Sequence, residues 1–256
     1  MSRGSFCDKT AARRVAVLGD VHGNAVALAA VLDELESENV DLVVWTGDLS
    51  WGSEPAATLA LVRGLDLAAK YVRGNAERAL LELKAGRPDE PTERERWMLD
   101  QHSDDDLAFA ATFEHAVSVE IEDLGVTYFT HGSPRSDEEL LTERTPEKRI
   151  RAATTEIAER VLVTGHTHCQ YDRQVAGLRA LNPGSVGLPY EGRSGAYWAL
   201  LGPGVELRRT EYDIAAAVAQ MRGTDDPRVE VIVELMLQPR SREEAIEHAE
   251  KLEFSG

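Results

Sequence analysis

Five times in this chain a run of apolar residues ends abruptly in a short polar motif built on glycine. RVAVLGD (14–20) leads into Gly19-Asp20-Val21-His22-Gly23, and DLVVWTGD (41–48) ends in Gly47-Asp48. AAKYVRGN (68–75) ends in Gly74-Asn75, VTYFTHG in His131-Gly132, and VLVTGHTH (161–168) in Gly165-His166-Thr167-His168. Short apolar runs rich in Val and Leu, bounded by turn residues, read as buried strands. Helical patterns separate the first three. Ala, Leu and Val recur at helical spacing over 24–36, and 54–65 carries Pro55 in its first turn, where a missing N–H costs nothing. A β-α-β-α-β order implies a parallel sheet with crossover helices. In such a sheet, sites form beyond the carboxyl ends of the strands, so motifs distant in sequence can meet there.

The rest of the chain changes character. Residues 76–113 read as mainly helical, with a break marked by Pro88 and Pro91. From 116 to 132 two alternating strands flank a turn near Asp123–Gly125. QYDRQVAGLRALNPGSVG and GAYWALLGPGVELRRTEY read as several strands with Gly and Pro turns, expected to be antiparallel. Residues 213–222 and 227–236 read as helices, and Ser241 with Glu244 forms a capping box opening a last helix to about residue 252. The expected organisation is one domain over 1–256: a core at about 13–210, a helical insertion at 84–115 and a helical extension at 211–256.

The chain is large enough to bury a core without disulfides. Its two cysteines, Cys7 and Cys169, make neither a disulfide framework nor a Cys-rich zinc module. The N-terminal stretch MSRGSFCDKTAARR is polar, and no apolar run approaches membrane-spanning length, so a cytoplasmic location is expected. A net charge of −17 disfavours nucleic-acid polymers and anionic membranes as partners. It leaves small phosphorylated molecules open, because bound dications can reverse the local potential.

Asp20, His22, Asp48, Asn75, His131, His166 and His168 offer carboxylates, an amide oxygen and imidazoles. This mixed set suits two borderline divalent ions, with manganese favoured and iron, zinc, nickel or cobalt acceptable. Each motif alone has a plainer reading. Asp20 and Asn75 can cap the helices that follow them, Asp48 can serve a turn, and His131 can end a strand. Four of the seven histidines nevertheless fall inside these motifs, and two alternate in Gly165-His166-Thr167-His168.

The series resembles the calcineurin-like metallophosphoesterase superfamily, whose pattern runs D-x-H, GD, GN-H-D/E, H and GH-x-H. NPGSVGLP (182–189) looks like a segment of its bacterial YfcE-like phosphodiesterase branch. The resemblance implies an α/β fold, a four-layer α-β-β-α sandwich with two mixed sheets. It implies one metal on Asp20, His22, Asp48 and His168, and another on Asp48, Asn75, His131 and His166. Asp48, Asn75 and His131 would then be catalytic, through metal-activated water and phosphate positioning. The implied activity is hydrolysis of phosphate esters, foremost small nucleotide-like diesters. A nucleotidase or dinucleoside polyphosphate hydrolase is the enzymatic alternative, and a scaffold or sensor on the same fold the non-enzymatic one.

Two departures matter. Where the pattern has histidine after Gly74-Asn75, this chain has Ala76, which has no proton to give a leaving group. GDLSWG (47–52) also lacks the arginine of the GDxxDRG motif in Ser/Thr protein phosphatases. Arg73 is the candidate phosphate-binding arginine alongside Asn75. Arg78, Arg135 and Arg149 read as surface charges, though each can reach phosphate. Trp51 and Tyr190 read as packing residues able to stack a nucleobase. His102 reads as solvent-facing, although it can substitute for the missing acid, and His115 and His248 read as structural or solvent-facing.

Overall fold

Val15 and Val17 point one way and Ala16 and Leu18 the other, and all four are buried, so the first strand is covered on both faces. The computed structural model describes residues 11–87, 89–252 and 254; Cys7 and Pro88 fall outside them. Strand β1 (Val15–Leu18) is followed by α1 (Ala25–Leu35), β2 (Leu42–Trp45), α2 (Pro55–Gly64) and β3 (Ala69–Tyr71). Helices α3 (Asn75–Ala85), α4 (Glu93–Asp100) and α5 (Asp104–Ala110) come next, then β4 (Ala116–Ile121), β5 (Gly125–Thr130), α6 (Glu147–Ala153) and β6 (Val161–Val163). The chain continues through β7 (Tyr171–Val175), β8 (Leu178–Asn182), β9 (Ala196–Leu201) and β10 (Val205–Thr210) to α7 (Ile214–Arg222), α8 (Val229–Leu237) and α9 (Arg242–Lys251).

The strands form two five-stranded mixed sheets, ordered β10-β9-β1-β2-β3 and β4-β5-β6-β8-β7. β1, β2 and β3 are parallel in the first sheet, and β5, β6 and β8 in the second. Val15, Val17 and Val44 of one sheet pack with Val117, Phe129 and Val163 of the other, which makes the sandwich interface. The outer face of the first sheet, with Leu18 and Trp45, is covered by Leu28 and Val31 of α1 and Val62 of α2. Leu162 and Ala180, on the outer face of the second, are covered by Ile150 and Ala153 of α6. The fold is therefore the four-layer α-β-β-α sandwich.

Three details differ from the sequence reading. The later strands are not all antiparallel: β8 pairs antiparallel with β7 but parallel with β6. The mainly helical stretch over 76–113 breaks between α3 and α4 as Pro88 and Pro91 suggest, and it breaks again before α5, with Thr92 and Ser103 capping α4 and α5 through boxes closed by Glu95 and Asp106. The strand at 161 also ends at Val163, so Gly165-His166-Thr167-His168 is a loop rather than a strand end. His166 and His168 there have φ of +66° and +57°, which no ladder accommodates.

Candidate metal centre

Every candidate ligand sits just past a strand or at the helix start that follows one. Asp20 and His22 follow β1, Asp48 follows β2, and Asn75 opens α3 after β3. His131 follows β5, and His166 and His168 follow β6. These strands run parallel within each sheet, so their carboxyl ends meet along one edge of the sandwich. Backbone hydrogen bonds lace the loops together: Asp20 N donates to Gly47 O at 2.9 Å, His22 N to Asp48 O at 3.0 Å, and Gly165 N to His131 O at 2.7 Å. Asp20, His22, Asp48, His166 and His168 all have φ between 48° and 66°. A non-glycine residue costs about 1–2 kcal/mol in that region, so the surrounding contacts hold these loops in shape. Gly74 is required by a close approach, since a Cβ there would lie 2.1 Å from Asp48 Oδ1.

The side chains converge in two groups. Donor atoms of Asp20, His22 and His168 lie within 4.8 Å of one another, and so do those of Asp48, His131 and His166. Asp48 faces both groups, with Oδ1 3.5 Å from His131 Nε2 and Oδ2 3.8 Å from His22 Nε2. Asn75 joins the second group, its Oδ1 3.0 Å from His131 Nε2. The structure thus brings together all seven residues singled out by the motifs.

The tautomers follow from the outer partners. His131 Nδ1 donates to Thr46 O at 2.7 Å, His168 Nδ1 to Leu188 O at 2.6 Å, and His22 Nδ1 to Trp51 O at 3.2 Å. A carbonyl only accepts, so in each neutral ring Nε2 is a lone pair aimed inward. His22 Nε2 and His168 Nε2 face each other at 3.1 Å, and His131 Nε2 faces His166 Nδ1 at 3.1 Å. The lone pairs of His22 and His168 so placed repel unless a cation lies between them. The field favours one. Burial opposes charge on both Asp20 and His131, yet Asp20 is held well below the usual carboxylate range by His168, and His131 is raised by Asp48 and Asp20. Burial, reinforced by His131, pushes His166 down to about 4, leaving it neutral and ready to ligate. The donor set fits two divalent cations.

Several supporting residues were not singled out by the motifs. Glu77 is buried and accepts from the N–H groups of Gly74, Asp48 and Leu49 at 2.8–2.9 Å, which fixes the turn carrying Asp48. Burial, then the Asp48 charge, pushes its carboxyl up to about 7 against those three donors. NPGSVGLP wraps the first loop. Ser185 Oγ donates to Asp20 O at 2.6 Å, Gly187 N to the same oxygen at 3.1 Å, and Leu188 O receives His168. Asn182 Nδ2 donates to Gly165 O at 2.6 Å and holds the histidine loop. Glu77 stands at the D/E position of the GN-H-D/E pattern, and Asn182 and Ser185 lie within NPGSVGLP, but neither pattern told what these side chains hold.

Other expectations fare differently. His102 is not solvent-facing: it is 7% exposed, gives its Nδ1 proton to Met98 O and accepts the Ser50 hydroxyl on Nε2 at 2.9 Å. The polar helical pattern around it concealed this, because α4 ends at residue 100 and the chain turns His102 inward toward the loop after Asp48. His115 is half-buried on Pro134 O, and His248 is exposed. Arg78 pairs with Asp137 and Glu138, Arg135 with Glu139, and Arg149 with Glu250. Arg73 makes no such ion pair among the described residues, and its Nε is buried without a hydrogen-bond partner. Tyr190 stacks on His168 with centroids 4.7 Å apart and lies under Arg240, so its faces are taken.

The family model of the calcineurin-like phosphoesterase superfamily domain matches residues 14–201. The chain belongs to that superfamily. A metallophosphoesterase from Sphaerobacter thermophilus is 26% identical over 88% of this chain and 99% of its own, with a TM-score of 0.68. A hypothetical protein from Pyrococcus horikoshii shares the fold at 17% identity, with 89% and 99% coverage and a TM-score of 0.75. The phosphoesterase Yfce of E. coli is 21% identical over 74% of this chain and 88% of its own, with a TM-score of 0.47. No curated protein sequence matches. As a member of the calcineurin-like superfamily the chain is a metal-dependent phosphoesterase, and its matched region contains all seven converging residues. No helix among the described residues is long and apolar enough to cross a membrane.

Proposed function

We propose that this phosphoesterase is a two-metal phosphodiesterase acting on small, nucleotide-like substrates. The observation that carries the reading is Asp48, whose two carboxylate oxygens face one histidine from each donor group. Asp20, His22, Asp48 and His168 would hold one cation, and Asp48, Asn75, His131 and His166 the other. Manganese is the favoured ion, and iron, zinc, nickel or cobalt suit the same donors. Such a pair supplies Lewis acidity at phosphorus and a water acidic enough to attack near neutral pH.

The residues of the chain do the rest. Thr46, Trp51 and Leu188 carbonyls orient three imidazoles, and Glu77 holds Asp48 in place. Asn75 turns its amide oxygen toward His131, which leaves its NH2 group to donate to a phosphoryl oxygen. Arg73 is the arginine best placed by its lack of an ion pair to assist. The diester preference has an electrostatic basis. Carboxylates already engage Arg78, Arg135 and Arg149, so little cationic charge remains for the second negative charge of a monoester. Ala76 gives no proton, and only its backbone N–H contributes, donating to Asp48 Oδ1 at 2.9 Å. Substrates with acidic leaving groups are therefore favoured.

The test uses metal-stripped protein given back Mn2+, with bis-p-nitrophenyl phosphate and p-nitrophenyl phosphate compared. The reading expects metal-dependent turnover with the diester preferred. A monoester preference would favour a nucleotidase. Absence of turnover from a folded protein holding two metals would favour a sensor or scaffold.

A further inference from the structure

Beside the candidate metal centre lies a cavity of about 170 Å³ lined by His22, Trp51, Arg94, Leu188, Met221 and Ile232. Its walls come from parts of the chain outside the two sheets. Trp51 lies in the loop after β2, Arg94 on α4, Leu188 in the loop before β9, Met221 on α7 and Ile232 on α8. Trp51 also packs with the cluster of Leu80, Met98 and Leu107, while Leu188 packs with Met221 and Ile232. A buried carboxylate pins these walls together. Asp226, between α7 and α8, accepts from Ser53 Oγ at 2.9 Å and from Arg94 at 3.2 Å.

Two features point to a ligand. Four lining side chains are apolar or aromatic, and an apolar cavity of ~150 Å³ accommodates one benzene ring. Arg94 spends Nη2 on Asp226 at 3.2 Å, and its Nη1 has no hydrogen-bond partner among the described residues, which leaves it to donate at the wall. His22 contributes to both this cavity and the donor group with Asp20 and His168, so the two spaces adjoin.

We propose that this cavity receives one flat ring from the organic part of the phosphate ester, an aryl group or a pyrimidine base. Trp51 supplies an apolar face, and Arg94 donates to an acceptor on the ring. The proposal rests on the phosphoesterase reading of the adjoining centre. It makes α4, α7 and α8 the elements that select the substrate.

The full chain, reconstituted with Mn2+, is titrated by calorimetry with dimethylphosphinate and methylphenylphosphinate, monoanions like a diester that carry no ester bond to hydrolyse. Methylphenylphosphinate is expected to bind about tenfold tighter, a modest return for burying a ring. Trp51→Ala removes the apolar face and Leu188→Trp fills the space, and each is expected to bring the ratio close to one. Equal affinities in the wild type, or a preference surviving both substitutions, overturn the cavity assignment and leave the phosphoesterase reading intact. Failure of both phosphinates to bind metal-loaded protein overturns the two together.

Discussion

His22, His131 and His168 each spend one nitrogen on a backbone carbonyl and aim the other inward, so their role is set by neighbours as much as by type. The types and the flanking glycines were visible in the sequence. The carbonyls were not, because any residue supplies one. His102 shows the same limit from the other side, since only the chain path reveals that it is buried on Ser50. Glu139 gives a prediction at this scale. Its carboxylate is 0% exposed and takes two hydrogen bonds from Arg135, at 2.8 and 2.6 Å. Burial opposes the charge, but Arg135, Ser133 and Arg149 together outweigh it and hold the carboxyl below its ordinary value. A lowered folded-state pKa means stability that is full above the ordinary glutamate value and lost as pH falls through the lowered one. Glu139→Gln is expected to cost about 1 kcal/mol at pH 7, because Arg135 is 40% exposed and water can solvate the charge it leaves. Urea melts from pH 7 to 3 should show that difference closing in acid. A constant difference would contradict the account.

Elements were legible where period and capping agreed. α1, α2 and the Ser241 capping box of α9 follow the sequence pattern closely. The ends of β3 and β6 were not: β3 stops at Tyr71 and Asn75 already opens α3, while His166 and His168 after β6 sit in a loop at positive φ. The loop 182–189 is where an element decides the site. A Cβ on Gly187 would lie 1.7 Å from Val21 O, so Gly187→Ala must push this loop off the one carrying Asp20 and His22. His168 loses the Leu188 carbonyl in the same movement. Metal affinity is expected to fall at least about tenfold, as for other losses of outer partners of a ligand. Gly177→Ala is the control. It sits at φ +85° in the turn between β7 and β8 with nothing near its Cβ, so it should cost only about 1–2 kcal/mol of backbone strain. Metal titrations of both variants check this, and equal affinities would sink the claim that loop 182–189 holds the centre.

Across the whole molecule, two sheets and two sets of helices meet at one edge to hold buried Asp20, Asp48 and Glu77 close together in a chain of net charge −17. The α-β-β-α layering was legible through the resemblance; the convergence of α4, α7 and α8 on the centre was not, since it depends on tertiary contacts such as Asp226 with Arg94 and Ser53. Carboxylates packed this way repel, so bound cations should stabilise the fold as well as catalyse. Chelation is expected to lower Tm, and Mn2+ at a hundredfold its Kd to restore about 2.7 kcal/mol. A Tm indifferent to metal would count against a buried centre. The most direct test of the two-metal claim is to count ions bound per chain in wild type and Asp48→Ala, with diester turnover measured on the same samples. The account predicts two ions in the wild type, weakened binding at both groups in the variant, and loss of turnover. A single ion in the active wild type, or metal-dependent turnover persisting in Asp48→Ala, would contradict it.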